Sequence, residues 1–198
     1  MEMDGSVSSL VRNSSEPDIA VLLSGGIDSF ACAEFYCSMD RSVCGVFIDY
    51  GQLGAEQERK SANMAAAHLS IQLLTLTASS LRQTVTGEIP ARNAFLLCYA
   101  AMQRPSSTNA VAIGIHAGTE YLDCSPNFIK HSKKMLSFQG TPVDILTPFL
   151  QMQKEDIVAY AIKQGLPLEK TYSCEAGCVP PCGSCLSCLD RKDIDARS

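Results

Sequence analysis

The run Ile19-Ala20-Val21-Leu22-Leu23 constrains this chain more than any other stretch. It is short, apolar throughout and followed at once by Ser24-Gly25-Gly26. A strand without polar alternation is buried on both faces, and a glycine pair ends it in a tight turn. A helix is predicted over 30–39, which makes the opening unit a strand, a glycine loop and a helix. The pattern then repeats. A second strand is predicted over 43–48, a helix rich in Ala, Glu, Gln, Arg and Lys over 55–69, and a third strand over 71–76. After a loop over 81–90, a helix with an apolar face is predicted over 92–103 and a fourth buried strand over 110–115. A helix over 126–138 and a short edge strand over 143–146 come next. A last helix over 154–164 stops at Gly165, with Pro167 just beyond. Such alternation predicts βαβ units, hence an α/β fold in three layers: a mostly parallel sheet with helices on both faces. Ligands of these sheets bind at the carboxyl ends of the strands, so the residues that end the strands are the ones to examine.

Composition narrows the function. With 198 residues, 46% of them hydrophobic, the chain can bury one core of ordinary size, read here as a single domain over 18–198. The first 17 residues are polar, lack the apolar stretch of a signal peptide and read as a flexible tail. Sixteen Lys and Arg against 21 Asp and Glu leave a net charge of −5, which argues against a protein that grips nucleic acid through its phosphates. No apolar run approaches the roughly 20 residues that cross a bilayer. Of the 10 cysteines, Cys32, Cys37, Cys44, Cys98 and Cys124 are scattered. Cys174, Cys178, Cys182, Cys185 and Cys188 crowd together. A large core and no export signal point to a reducing cytoplasm, buried single thiols and one metal site rather than a disulfide framework.

The glycine loop is Ser24-Gly25-Gly26-Ile27-Asp28-Ser29. Two glycines permit positive φ and a close approach of backbone to ligand, and the N–H groups at the helix start complete an anion cradle. Ser24 and Ser29 add hydroxyl donors, and Asp28 can hold Mg²⁺ or cap the helix. The string is not a Walker loop, which needs Gly-x4-Gly-Lys-Ser/Thr. Tyr50-Gly51-Gln52 follows the second strand and suits adenine or ribose, or is a plain turn. Arg92 offers a planar fork to a carboxylate or phosphate, and Asn93 can read a heterocycle edge. Asp123 can coordinate Mg²⁺ or accept from a purine-like ring. His116 is a proton carrier or a structural histidine, Cys124 a reactive thiol or a small core residue. Lys154 reaches phosphates or lies on an exposed helix face. Cys174, Cys182, Cys185 and Cys188 have the spacing of a four-thiolate site, with zinc preferred to iron–sulfur, in a zinc-binding segment over 171–192 of a C-terminal appendage over 171–198 that lacks periodicity. Cys178 makes a fifth candidate for four places and is left out.

The hexapeptide 24–29 resembles the signature of the PP-loop ATP pyrophosphatases, which split ATP between its α and β phosphates. Tyr50-Gly51-Gln52, Pro90-Ala91-Arg92-Asn93, Asp123-Cys124 with Phe128-Ile129, Thr147-Pro148-Phe149-Leu150, Lys154-Glu155-Asp156-Ile157, Pro167-Leu168-Glu169 and the terminal cysteines follow in order. Together these strings resemble the 7-cyano-7-deazaguanine synthase (QueC) family over about 19–192. The resemblance implies that Ser24, Gly25, Gly26, Asp28, Ser29, Tyr50, Gly51, Gln52 and Lys154 bind ATP. It implies that Arg92, Asn93 and Asp123 bind the substrate acid, and that Asp28, Arg92 and Asp123 take part in catalysis. It further implies ATP as substrate, Mg²⁺, a structural Zn²⁺, ammonia as acceptor and a homodimer. The expected reaction is adenylation of 7-carboxy-7-deazaguanine, amidation, and dehydration to the nitrile preQ0. Leu53-Gly54 stands where the family usually has a basic pair, Leu122 where it has Pro, and Ser125 where it has Arg. These departures leave open a divergent member that stops at adenylate or amide, or passes the acid to a protein amine as in bacterial defence. A tRNA-thiolating relative is disfavoured by the net acidity and the cysteine pattern.

Overall fold

The computed structural model describes residues 16–78, 89–116, 118–119, 121–138 and 143–195. Residues 1–15 of the expected tail and most of the loop expected over 81–90 lie outside the described residues.

Strand β1 (Ile19–Leu22) pairs in parallel with β2 (Val43–Asp49) on one side and with β4 (Ala110–Ala112) on the other. Strand β3 (Gln72–Thr77) joins β2, and β5 (Asp144–Leu146) joins β4, giving the order β3-β2-β1-β4-β5 with every pair parallel. The alternation along β1 shows why its sequence carries no polar residue. Ile19, Val21 and Leu23 enter one core with helices α1 (Ile27–Cys37), α2 (Ala55–Leu69) and α5 (Lys154–Lys163). Ala20 and Leu22 enter a second core with α3 (Arg92–Gln103) and α4 (Pro126–Leu136). Both faces are covered, so every side chain of the central strand must be apolar. This is the expected three-layer α/β architecture.

Strand order reverses beside β1. Helix α1 carries the chain toward β2, whereas after β3 it crosses back to β4. The crevice between the carboxyl ends of β1 and β4 is therefore the switch point of the sheet. Contact there is close: a Cβ on Gly114, just past β4, would lie 2.5 Å from the Asp28 carbonyl oxygen and 3.2 Å from the Ser29 nitrogen. Among the described residues no helix is long and apolar enough to cross a membrane.

Several elements differ from expectation: β4 stops at Ala112, short of the strand expected over 110–115. Helix α1 begins at Ile27, three residues earlier than the sequence suggests, because it winds directly off Gly26 and takes half of the glycine loop into its first turn. A sixth helix, α6 (Leu186–Asp195), lies within the segment that shows no periodicity. Its first turn starts at Cys185, whose carbonyl accepts from Cys188 and Leu189 N–H. Cys188 is buried and Ile194 packs on the first core, so only a few positions face inward and cysteine supplies one of them.

Phe149 is fully buried against Phe35 and Tyr160, with ring centroids 5.9 Å from each. Phe149→Ala is expected to lower unfolding free energy by about 3–5 kcal/mol in denaturant titration, with the far-ultraviolet spectrum retained.

Candidate functional site

At the end of β1 the chain turns through Gly25, whose φ of 84° belongs to the left-handed region. Gly26, at φ −78°, does not need that freedom, so only one of the two glycines is used for its conformation. Gly25 is also hemmed in. A Cβ there would lie 2.6 Å from the Ala62 nitrogen and the Ser61 Cβ, so α2 presses directly on the loop. Gly26 is the N-cap of α1 and supplies no side-chain cap. The first intrahelical bond runs from Phe30 N–H to Gly26 O at 3.1 Å, which leaves the preceding amides for a ligand at the positive end of the helix. Ser24 Oγ donates to Ser29 Oγ (3.2 Å), and Ser29 Oγ donates to Gly26 O (2.9 Å), so both hydroxyls are held on the loop.

Asp28 stands in the first turn of α1 as expected, but it does not cap the helix. Both of its carboxylate oxygens accept from Lys154 Nζ at 2.6 Å, and both side chains are about one quarter exposed. The sequence places these residues 126 positions apart; packing of α1 on α5 joins them. His116 is buried at the end of the segment that follows β4. Its Nδ1 accepts from Gly118 N–H at 3.1 Å, so the neutral ring carries its proton on Nε2. Burial holds the His116 pKa below its ordinary value; Lys154 acts in the same direction, whereas Asp28, Asp190 and Glu155 oppose it.

On the other side of β1, Gln52 knits the turn after β2. Its Oε1 accepts from Tyr50 N–H at 2.9 Å, and its Nε2 donates to Ile48 O at 3.2 Å and to Glu58 Oε2 at 2.9 Å. The Tyr50 ring is buried edge-on against Phe95, with centroids 6.3 Å apart. Gly51 lies at φ 83° and donates to Asp49 Oδ1. Burial raises the Glu58 pKa, countered by the hydrogen bond from Gln52 and the charge of Arg92. Arg92 also acts on Tyr50, so Tyr50, Glu58 and Arg92 share one electrostatic neighbourhood. Asn93 is buried and grips the loop after β4: its N–H donates to Asp123 Oδ2, and its Nδ2 donates to Asp123 O, each at 3.2 Å. The same Nδ2 donates to Cys124 Sγ at 3.6 Å. Burial pushes the Cys124 thiol up, which argues against an activated thiolate. Asn93 and Asp123 are thus brought together, 30 residues apart in sequence.

The sulfurs of Cys174, Cys182, Cys185 and Cys188 all lie within 4.8 Å of one another. Cys182 and Cys188 sulfurs are 3.9 Å apart, close to the roughly 3.8 Å edge of a tetrahedron with metal–sulfur bonds of about 2.3 Å. Backbone N–H groups point at the sulfurs: Cys182 N–H at Cys174 Sγ and Cys185 N–H at Cys182 Sγ, each at 3.4 Å. Such donors favour thiolates, and those of Ser184 and Cys185 bring the Cys182 thiol down to about 6. Four soft donors with no open vertex fit a tetrahedral metal ion. Cys178 is exposed and stands outside the group, its sulfur 3.8 Å from Ala176 O.

Sequence reasoning did not find the contacts that join these parts. Tyr172 N–H donates to Gly25 O at 3.1 Å, and Ser61 Oγ donates to Lys170 O at 3.0 Å. The first is backbone to backbone and the second ends on a backbone carbonyl, and backbone atoms leave no mark in residue identity.

A parallel sheet with an uncapped helix start at its switch point, and a thiolate cluster nearby, is the design of a nucleotide-binding α/β protein. The family model "Queuosine biosynthesis protein QueC" matches residues 18–89 and 82–194. The chain belongs to the QueC family and is an enzyme of the carbon–nitrogen ligase class. It is 32% identical over 206 aligned residues to the 7-cyano-7-deazaguanine synthase of Aquifex aeolicus (strain VF5), covering 88% of this chain and 94% of that one. With the enzyme of that name from Prochlorococcus marinus (strain MIT 9215) it shares 29% identity, covering 88% and 92%. Among solved structures, a chain from Methanocaldococcus jannaschii described as a "predicted subunit of tRNA methyltransferase" has the same fold, with a TM-score of 0.52 and 15% identity over 79% of this chain and 92% of that one.

The depressed pKa of His116 has a signed consequence. Its contribution to stability is fully present above the ordinary value of 6.5 and is lost as the pH falls from there through the lowered value of the folded state, because the unfolded chain then binds the extra proton. Denaturant titrations of the wild type and His116→Gln across this range are expected to diverge near neutrality and converge at acid pH, the wild type losing more stability.

Proposed function

We propose that this chain activates the carboxylate of 7-carboxy-7-deazaguanine with ATP and converts it to 7-cyano-7-deazaguanine. What carries the reading is the 24–29 loop: an uncapped helix start at the sheet's switch point, in a member of the QueC family. In the first step a carboxylate oxygen attacks the α-phosphorus, the bond to the bridging oxygen breaks and pyrophosphate leaves. The amides that open α1, with the Ser24 and Ser29 hydroxyls, receive the charge of the departing pyrophosphate. Ammonia then displaces AMP from the acyl adenylate to give the amide. A second ATP adenylates the amide oxygen, and loss of AMP and a proton leaves the nitrile.

Asp28 and Lys154 act as a pair in this scheme. Mg²⁺ bound with ATP would neutralise phosphate charge, and Asp28 is the carboxylate in the loop suited to hold it. Lys154 is then released from Asp28 to meet the phosphates as a point charge. Arg92 offers its fork to the substrate carboxylate, and Asn93 with Asp123 forms a preset edge of donors and acceptors for the deazapurine. The four cysteines hold a structural zinc, since thiolates fill every vertex and leave none for a reactant.

A second reading is favoured by one observation. Leu53 and Leu122 are 67% and 88% exposed, in turns where the family usually carries polar or rigid residues. Apolar side chains there suit a polypeptide acceptor, so that the adenylate would be passed to a protein amine instead of ammonia. Mass spectrometry of products from ATP and 7-carboxy-7-deazaguanine, with and without ammonium, separates the two. A nitrile is expected; adenylate or amide alone favours the second reading, and no AMP under any condition overturns both.

Lys154→Met is expected to reduce AMP formation about 10²–10³-fold with the circular dichroism spectrum unchanged, read by AMP release under saturating ATP. Elemental analysis is expected to find about one zinc per chain, and Cys182→Ser to lose it together with thermal stability.

A further inference from the structure

The cysteine cluster is not appended to the fold at a distance from the nucleotide loops. The segment that leads into and out of Cys174 runs between them. It is tied to α2 where Ser61 Oγ donates to Lys170 O, and to α6 where Arg191 donates to Thr171 Oγ1 and Leu168 O, each at 2.7 Å. It then touches the first loop: Tyr172 N–H donates to Gly25 O at 3.1 Å, and a Cβ on Gly26 would lie 3.7 Å from Tyr172 O. One residue after Ser173 it touches the second. A Cβ on Gly54, the N-cap of α2, would lie 3.3 Å from Cys174 O. The Gly177 backbone rests on Leu53: a Cβ there would lie 2.6 Å from the Leu53 carbonyl carbon, closer still to its oxygen, and 3.1 Å from the Gly54 nitrogen. Gly177 has φ 70°, and its N–H donates to Cys174 O, so the turn is closed by the residue that carries the first thiol.

We propose that 171–177 is a strut that sets the spacing of the two loops, with Tyr172 and Gly177 as positioning residues, and that closing the thiolate cluster locks the strut. The physical basis is the absence of slack. Gly25 is pressed by α2 on one side and bonded to Tyr172 on the other, and Gly177 meets Leu53 at backbone contact distance. Native packing does not deform gradually, so a strut displaced by a fraction of an ångström must move one loop or both. The leucine and glycine that replace the family's basic pair are the residues on which the strut rests. This inference deepens the proposed function, since it takes the loops at 24–29 and 50–54 as the nucleotide site.

Gly177→Ala tests it while leaving all four thiols in place. Gly165→Ala is the control, because Gly165 also has φ 70° but nothing lies within 4 Å of a Cβ there. Metal content, ATP affinity by isothermal titration and amide exchange at Tyr172 and Ala55 are measured on the full chain. G177A is expected to keep its metal, bind ATP at least about tenfold more weakly and exchange the Tyr172 amide faster, while G165A changes none of these. ATP binding by metal-loaded G177A within twofold of wild type overturns the proposal. If G177A does not fold, exchange at Tyr172 and Ala55 in the wild type before and after chelation decides: faster exchange at both is expected, and unchanged exchange overturns the strut. Exchange needs no nucleotide, so a wild type that binds no ATP sinks the proposed function while the strut is still judged.

Discussion

The open amino end of α1 is the constraint to which the rest of the site answers. A helix start normally has its N–H groups met by a serine, threonine or aspartate cap, yet here glycine takes that place and Asp28 turns away to Lys154. Glycine in place of a side-chain cap costs the helix only about a few tenths of a kcal/mol and leaves the donors at the positive end of the helix without a side-chain partner. The surrounding structure holds this arrangement in shape. Helix α2 closes on Gly25, the end of β4 lies under the first turn at Gly114, and Tyr172 fastens the loop from outside. With Lys154 of α5, four separate parts of the chain thus converge on six residues.

The same crowding is the physical basis of the proposed strut. A metal held by four cysteines offers no vertex to a reactant, so in that proposal its influence is mechanical. Cys185 and Cys188 stand at the start of α6, and Cys174 closes the turn that rests on Leu53. Small residues permit this: Gly54 and Gly177 meet where any side chain would hold the two backbones apart.

Much of the fold was legible from residue type because its physical causes are local. Unbroken apolar runs at β1 and β2 mean burial on both faces, and the glycine pair after β1 marks the turn. The alternation of such runs with helical stretches leaves a parallel sheet as the economical solution. Within the site, loop 24–29 and the cysteine quartet were legible for the same reason: a short window contains the whole chemical requirement. Tyr50 shows the limit. Its place after β2 marks it as part of a strand-end turn, but its edge-on packing against Phe95 is a contact that no local window contains.

Fold class, the glycine turn that opens α1 and the set of clustered thiols follow from residue type alone, since each is dictated by hydrophobic burial or donor chemistry within a few consecutive residues. Packing alone brings Asp28 to Lys154, sets Asn93 against Asp123, buries His116 in the field of Asp28 and Lys154, and lays 171–177 against two loops. Those facts depend on through-space distances between elements far apart in the chain, and on backbone atoms that every residue possesses. Residue identity cannot encode them one window at a time; they appear when the layers pack.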